Sequence, residues 1–129
     1  MSVKLFNPAM ELLDRNSLRE LQLHKLKKLV VRVYEQSPYY KTKFDAAGVN
    51  PYQLKSLDDY QHYPFFDKDE ERISQERSKA ELGHPFGLHI TCDPRLVNRI
   101  SASSGTTGSP TFSGFTRLDR ELAAENCAR

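Results

Sequence analysis

The 129 residues carry 19 Lys and Arg against 17 Asp and Glu, a formal net charge of +2, which gives no reason to expect a polyanionic partner such as nucleic acid. A hydrophobic fraction of 38% suits one modest domain, and no stretch approaches the roughly 18 apolar residues of a membrane span. Residues 1–16 contain Pro8, Glu11 and Asp14 where a signal peptide needs an unbroken apolar run, so the expectation is a cytoplasmic chain with no membrane partner.

In chain order, the first predicted element is a helix opening at Asn16 or Ser17, because Ser17 and Glu20 have capping-box spacing. Leu18, Leu21, Leu26, Leu29, Val30 and Val33 recur mostly at three- and four-residue intervals and form one apolar stripe. Ser37-Pro38 ends it, since a residue before proline is pushed out of helical geometry. A short helix over 39–47 follows, stopped by Gly48. Asn50-Pro51 opens a further turn, and residues 56–60 suggest another, broken by Tyr63-Pro64. Asp67 with Glu70 repeats the capping-box pattern and starts a charged helix running to about Ser78.

From Gly83 the texture changes. His84-Pro85-Phe86-Gly87 is turn chemistry, and 88–91 and 96–101 read as short strands. Small polar residues fill 101–110, residues 111–116 read as a strand, and Thr116 with Asp119 caps a last helix beginning near Arg117. That helix is expected to be still running at Arg129. Two or three short strands cannot form a self-sufficient sheet. The chain therefore reads as the N-terminal portion of a larger α/β protein (α+β as an isolated piece), with a mainly helical region over 1–82 and the start of a second domain over 83–129. Without its full sheet, and with many aromatics, such a piece is expected to self-associate.

Several clusters have plain structural readings. His24, Lys25, Lys27, Lys28 and Arg32 lie opposite the leucine stripe, as a solvated helix face does. The aromatics Tyr39, Tyr40, Phe44, Tyr52, Tyr60, Tyr63, Phe65 and Phe66 follow no strand alternation and suit core packing. Asp67, Asp69, Glu70 and Glu71 occupy a first helical turn, where the helix dipole favours negative charge. His84, His89 and Cys92 lack the paired spacing and fourth ligand of structural zinc, and a cytosolic setting disfavours a Cys92–Cys127 disulfide.

The segment that carries chemistry is Ser103-Ser104-Gly105-Thr106-Thr107-Gly108-Ser109-Pro110-Thr111. Gly105 and Gly108 allow the backbone to turn through positive φ and approach a ligand closely. The hydroxyls of Ser103, Ser104, Thr106, Thr107 and Ser109 surround the same turn, and successive amides there make a concave nest for phosphate oxygen. A Gly/Ser linker would be longer and poorer in β-branched threonine. A Walker-type loop is excluded because no lysine follows Gly108.

The string S-S-G-T-T-G-x-P-T between two strands resembles the ATP phosphate-binding loop of the adenylate-forming superfamily. Its context resembles the phenylacetate–CoA ligase branch: Ser37-Pro38-Tyr39-Tyr40-Lys41, Phe44 to Val49, Tyr63-Pro64-Phe65, Asp67-Lys68-Asp69, Pro85-Phe86-Gly87, Arg99-Ile100-Ser101-Ala102, then Gly114-Phe115-Thr116 and Asp119. The likeness covers residues 20–129 in one order. It implies that 83–129 opens an AMP-binding domain, with ATP, Mg2+ and coenzyme A as co-substrates and an aryl carboxylic acid as substrate. By this resemblance Ser103, Ser104, Gly105, Thr106, Thr107, Gly108 and Ser109 hold ATP phosphates, while catalytic residues lie in the remainder of the same polypeptide. Ser109 stands where this branch often has lysine, which removes one charge from the phosphate site. The competing reading is a non-catalytic helical assembly module that keeps the loop as a relic.

Overall fold

Polar side chains set most of the element boundaries. A computed structural model describes residues 5–104 and 109–128. Asn7 caps a one-turn helix, α1 (Pro8–Glu11), by accepting the Met10 amide hydrogen at 3.3 Å. The long helix α2 spans Arg15–Gln36 and is capped by Asp14, not by a Ser17–Glu20 box. Asp14 Oδ1 accepts from the Asn16 and Ser17 amides at 2.9 and 3.1 Å, and the Ser17 hydroxyl donates to Asp14 Oδ2. A carboxylate outcompetes a hydroxyl here because it carries the charge that the helix N-terminus attracts.

Ser37 serves two helices. Its amide donates to Val33 O at the end of α2, and its hydroxyl oxygen accepts from the Tyr40 amide at the start of α3 (Pro38–Ala46). Proline at the first position of α3 costs nothing, since that amide has no helical partner. Short 3₁₀ turns at Pro51–Gln53 and Asp58–His62 then lead to Tyr63. Helix α4 (Lys68–Leu82) starts at the Asp67–Glu70 capping box and ends at Gly83, four residues later than the spacing suggested.

The aromatic and aliphatic core belongs to this helical half. Val30, Phe44, Leu54 and Tyr63 are buried, with Leu23, Leu26, Val33, Tyr34, Tyr40 and Val49 around them. The Phe44 and Tyr63 rings meet edge to face with centroids 5.1 Å apart, a favoured aromatic geometry. Leu29, expected in the apolar stripe, is exposed, and Leu23 joins the core instead. The basic residues of α2 face solvent, as the spacing predicted.

Beyond a 3₁₀ turn at Pro94–Leu96, strands β1 (Arg99–Ala102) and β2 (Phe112–Phe115) form an antiparallel pair with Arg99 opposite Phe115 and Ala102 opposite Phe112. The expected strand at 88–91 is absent: Leu88 gives its amide hydrogen to Ser74 Oγ and its carbonyl accepts from Ser37 Oγ, so no ladder is available. Helix α5 (Arg117–Cys127) begins at the Thr116–Asp119 box and has Ala128 as its C-cap; Arg129, where it was expected to be still running, lies outside the described residues. Ile100 of β1 and Leu118 and Leu122 of α5 are exposed. Among the described residues no helix is long and apolar enough to cross a membrane.

Gly83 and Gly87 both hold positive φ, +74° and +86°. A Cβ at Gly83 would meet open space, whereas one at Gly87 would overlap the His89 ring. Gly83→Ala should therefore cost only the left-handed strain of about 1 kcal/mol. Gly87→Ala should cost clearly more, and chemical denaturation of the two variants in parallel checks the ranking.

Candidate phosphate-binding site

The antiparallel register brings Ser103 and Thr111 face to face as the neck of the glycine- and hydroxyl-rich loop. The Ser103 amide donates to Thr111 O at 3.0 Å, and the Thr111 amide donates back to Ser103 Oγ at 2.9 Å. The two hydroxyl oxygens stand 3.3 Å apart, and Thr111 is 6% exposed. Ser103 therefore spends hydrogen-bonding capacity on closing the neck. Ser104 and Ser109 stand exposed just inside it. Gly105, Thr106, Thr107 and Gly108 lie outside the described residues.

The neck is anchored from behind by α4. Gln75, 7% exposed, donates its Nε2 to Phe112 O at 2.7 Å and accepts from the Phe112 amide through Oε1 at 2.9 Å. One side chain thus occupies both outward backbone groups of the first residue of β2. Its neighbours on the same helix face act similarly. Ser78 Oγ donates to His84 O and accepts from the Gly87 amide, at 2.8 and 2.9 Å. Ser74 Oγ accepts the Leu88 amide hydrogen at 2.8 Å. Sequence reading missed this row because Ser74, Gln75 and Ser78 look like the solvated part of a charged helix. The available signal was their i, i+1, i+4 spacing, which places small or amide side chains on one side among longer charged ones.

Ser74 Oγ also lies 3.0 Å from His89 Nδ1. Ser74 Oγ can both accept from Leu88 and pair with that ring nitrogen, because a hydroxyl has one donor and two acceptor sites. The ring also lies against Phe66, with centroids 4.8 Å apart. Burial pushes His89 below its ordinary value of 6.5, with Glu71 opposing. His89, Glu71, Arg32, Phe112 and Asp119 line a cleft of about 320 Å³ beside β2. The Thr116 hydroxyl, hydrogen-bonded to Asp119, holds that carboxyl below the usual carboxylate range. A larger cleft of about 730 Å³, lined by Tyr39, Lys43, Glu70, Arg77 and Leu88, shares no lining residue with the hairpin.

His84 and His89 are engaged locally, His84 with Phe86 and His89 with Ser74. Cys92 and Cys127 are free thiols. Among the described residues no three His, Cys, Asp or Glu side chains gather as metal ligands.

Comparison with known proteins fits this architecture. The phenylacetate–coenzyme A ligase of Thermus thermophilus is 41% identical over 126 residues, covering 97% of this chain and 26% of its own. That of Aromatoleum evansii is 40% identical over 134 residues, covering 100% and 28%. The chain is homologous to phenylacetate–coenzyme A ligases. It spans about a quarter of the length of these curated relatives. A crystal structure of 2-hydroxyisobutyryl-CoA ligase with 2-HIB-AMP and CoA, in the thioesterification state, superposes with a TM-score of 0.82 at 29% identity. That match covers 99% of this chain and 27% of the ligase, in its N-terminal region. No protein-family model matches the chain.

The His89 shift has a definite sign. Above about pH 6.5 the imidazole is neutral whether folded or unfolded, and contributes no pH dependence. As pH falls below that value the unfolded chain binds a proton that the folded chain refuses, so stability falls until the lower folded value is passed. Urea unfolding from about pH 7.5 to about pH 5.5 should therefore show a steeper loss for the native sequence than for His89→Gln.

Proposed function

We propose that the full protein carrying this segment is an ATP-dependent acid–thiol ligase acting on an aryl carboxylic acid of the phenylacetate type, in the cytoplasm. In the first half-reaction a carboxylate oxygen attacks the α-phosphorus of ATP and pyrophosphate leaves, giving an acyl-adenylate. In the second the coenzyme A thiol attacks the acyl carbon, AMP leaves, and a thioester remains. The observation that carries this reading is the Ser103–Thr111 string, set on a hairpin in a chain homologous to phenylacetate–CoA ligases.

In this reading the segment grips and does not cut. Ser104, Thr106 and Thr107 offer hydroxyls to the β- and γ-phosphates, and Gly105 and Gly108 let backbone amides approach. Ser103 shapes the neck, and Ser109 contributes a neutral donor where related loops carry a cation. Hydrogen bonds to a charged partner contribute about 1.5–3 kcal/mol each, and fixing the pyrophosphate leaving group lowers the barrier by positioning and electrostatics. Mg2+, when bound with ATP, would neutralise phosphate charge. The described side chains offer no cage for it. The groups that contact adenine, acid and thiol belong to the rest of the polypeptide, so residues 1–129 alone should not turn over.

ATP–pyrophosphate exchange by the full protein, with phenylacetate and benzoate offered separately, tests the assignment. Exchange should require an aryl acid. Thr106→Ala and Gly108→Ala should each lower kcat/KM for ATP by about 10- to 100-fold, the equivalent of one lost charged hydrogen bond. Variants that exchange as fast as the native protein would remove the loop from the mechanism.

A further inference from the structure

From the geometry behind the loop we infer that Gln75 is a positioning residue for ATP: its bidentate clamp on Phe112 sets where the two ends of the phosphate loop stand. The inference rests on the ligase reading and adds a residue of α4 to the ATP site, remote in sequence from the loop.

Three features carry it. First, the clamp is complete. The carboxamide supplies a donor and an acceptor to the C=O and N–H of one residue, at 2.7 and 2.9 Å, and is 7% exposed. Solvent cannot substitute readily for either bond, and a buried backbone group left unpaired is costly. Second, the clamped residue is next to the neck. Phe112 follows Thr111, whose amide and carbonyl are held by Ser103. A hydrogen-bonded path thus runs from α4 through Gln75, Phe112 and Thr111 to Ser103, with Ser104 next to Ser103 and Ser109 two residues before Thr111.

Third, the hairpin's other tie to the segment before it is apolar packing of Phe86 and Val97 on Gly114, which sets no backbone hydrogen bond. All four residues of β1 are exposed, and its only strand partner among the described residues is β2. A two-stranded ribbon is marginal alone in water, so its placement depends on what holds β2 to the helical half. Gln75 is the side chain of α4 that hydrogen-bonds to β2. A ligand gripped by several donors at once is sensitive to their spacing, since a shift of about 1 Å can cost about 100-fold.

The substitutions Gln75→Leu and Gln75→Glu in the full protein test this. Leucine removes both bonds. Glutamate keeps them only when protonated, since a neutral carboxyl can accept from the Phe112 amide and donate to the Phe112 carbonyl. Two readouts are needed: amide hydrogen exchange at Thr111 and Phe112, and KM for ATP and for the acid in ATP–pyrophosphate exchange. Gln75→Leu should speed hydrogen exchange at Phe112 while α4 stays protected. It should also raise KM for ATP about tenfold, the equivalent of one lost hydrogen bond, with KM for the acid unchanged. Gln75→Glu should approach native KM for ATP as pH falls and depart from it as pH rises.

Hydrogen exchange that stays slow at Phe112 overturns the clamp. A loosened Phe112 with unchanged KM for ATP overturns the positioning role, as does an equal rise in both KM values, which marks general damage. Each of those outcomes leaves the ligase assignment standing. A native protein that exchanges pyrophosphate with no acid overturns the assignment itself, and the role of Gln75 in it.

Discussion

The seam that joins the helical half to segment 84–88 and to the start of β2 is polar, and the rest of the architecture depends on its being paired. Ser37, Ser74, Gln75 and Ser78 are all buried, at 0, 2, 7 and 0% exposure. Each makes at least one hydrogen bond with a backbone group outside the regular ladders: Leu88, Gly87, His84 or Phe112. Such a seam contributes a modest net gain per bond, but leaving any one group unpaired in a dry site costs more than the bond supplies. That asymmetry makes the arrangement specific. Segment 84–89 can lie against α4 in few other ways.

The aromatic core acts differently. Phe44, Tyr63, Tyr34 and Tyr40 hold α2, α3 and the 3₁₀ turns together through area and shape. Burial of apolar area is non-directional and tolerates small adjustments. It fixes the helical half as a body without setting the position of any single backbone group in the hairpin. Hydrogen bonds from α4 supply that missing precision, and they do so next to the loop that a phosphate ligand would have to find. The helical half is thus a mount for the hairpin as well as its neighbour in sequence.

Apolar side chains remain uncovered on both sides of this division. Ile100, Leu118 and Leu122 are exposed on β1 and α5, in a chain spanning about a quarter of the length of its curated relatives. The helical half has its own buried centre and capped ends, yet it too exposes Phe65, Ile73 and Leu82. The segment superposes closely on the N-terminal region of a CoA ligase, and its sheet has two strands among the described residues.

Local chemistry was readable in the residues alone. The Ser37-Pro38 break and the Asp67–Glu70 and Thr116–Asp119 boxes depend on side chains reaching backbone within a few positions. The glycine- and hydroxyl-rich loop was legible for the same reason: its chemistry is contiguous. The Ser17–Glu20 reading failed at short range, because a charged competitor stood three residues earlier at Asp14. The strand expected at 88–91 failed at long range. Its hydrophobic pattern was real, but Ser37 and Ser74, 51 and 14 residues away, had already taken the Leu88 backbone groups. Gln75 was invisible for that same reason, since nothing near it in sequence shows that Phe112 lies within reach. Sequence determined which backbone groups could be capped locally. Only the folded chain decided which distant groups would meet, because a hydrogen bond forms within about 3 Å of space regardless of how many residues lie between.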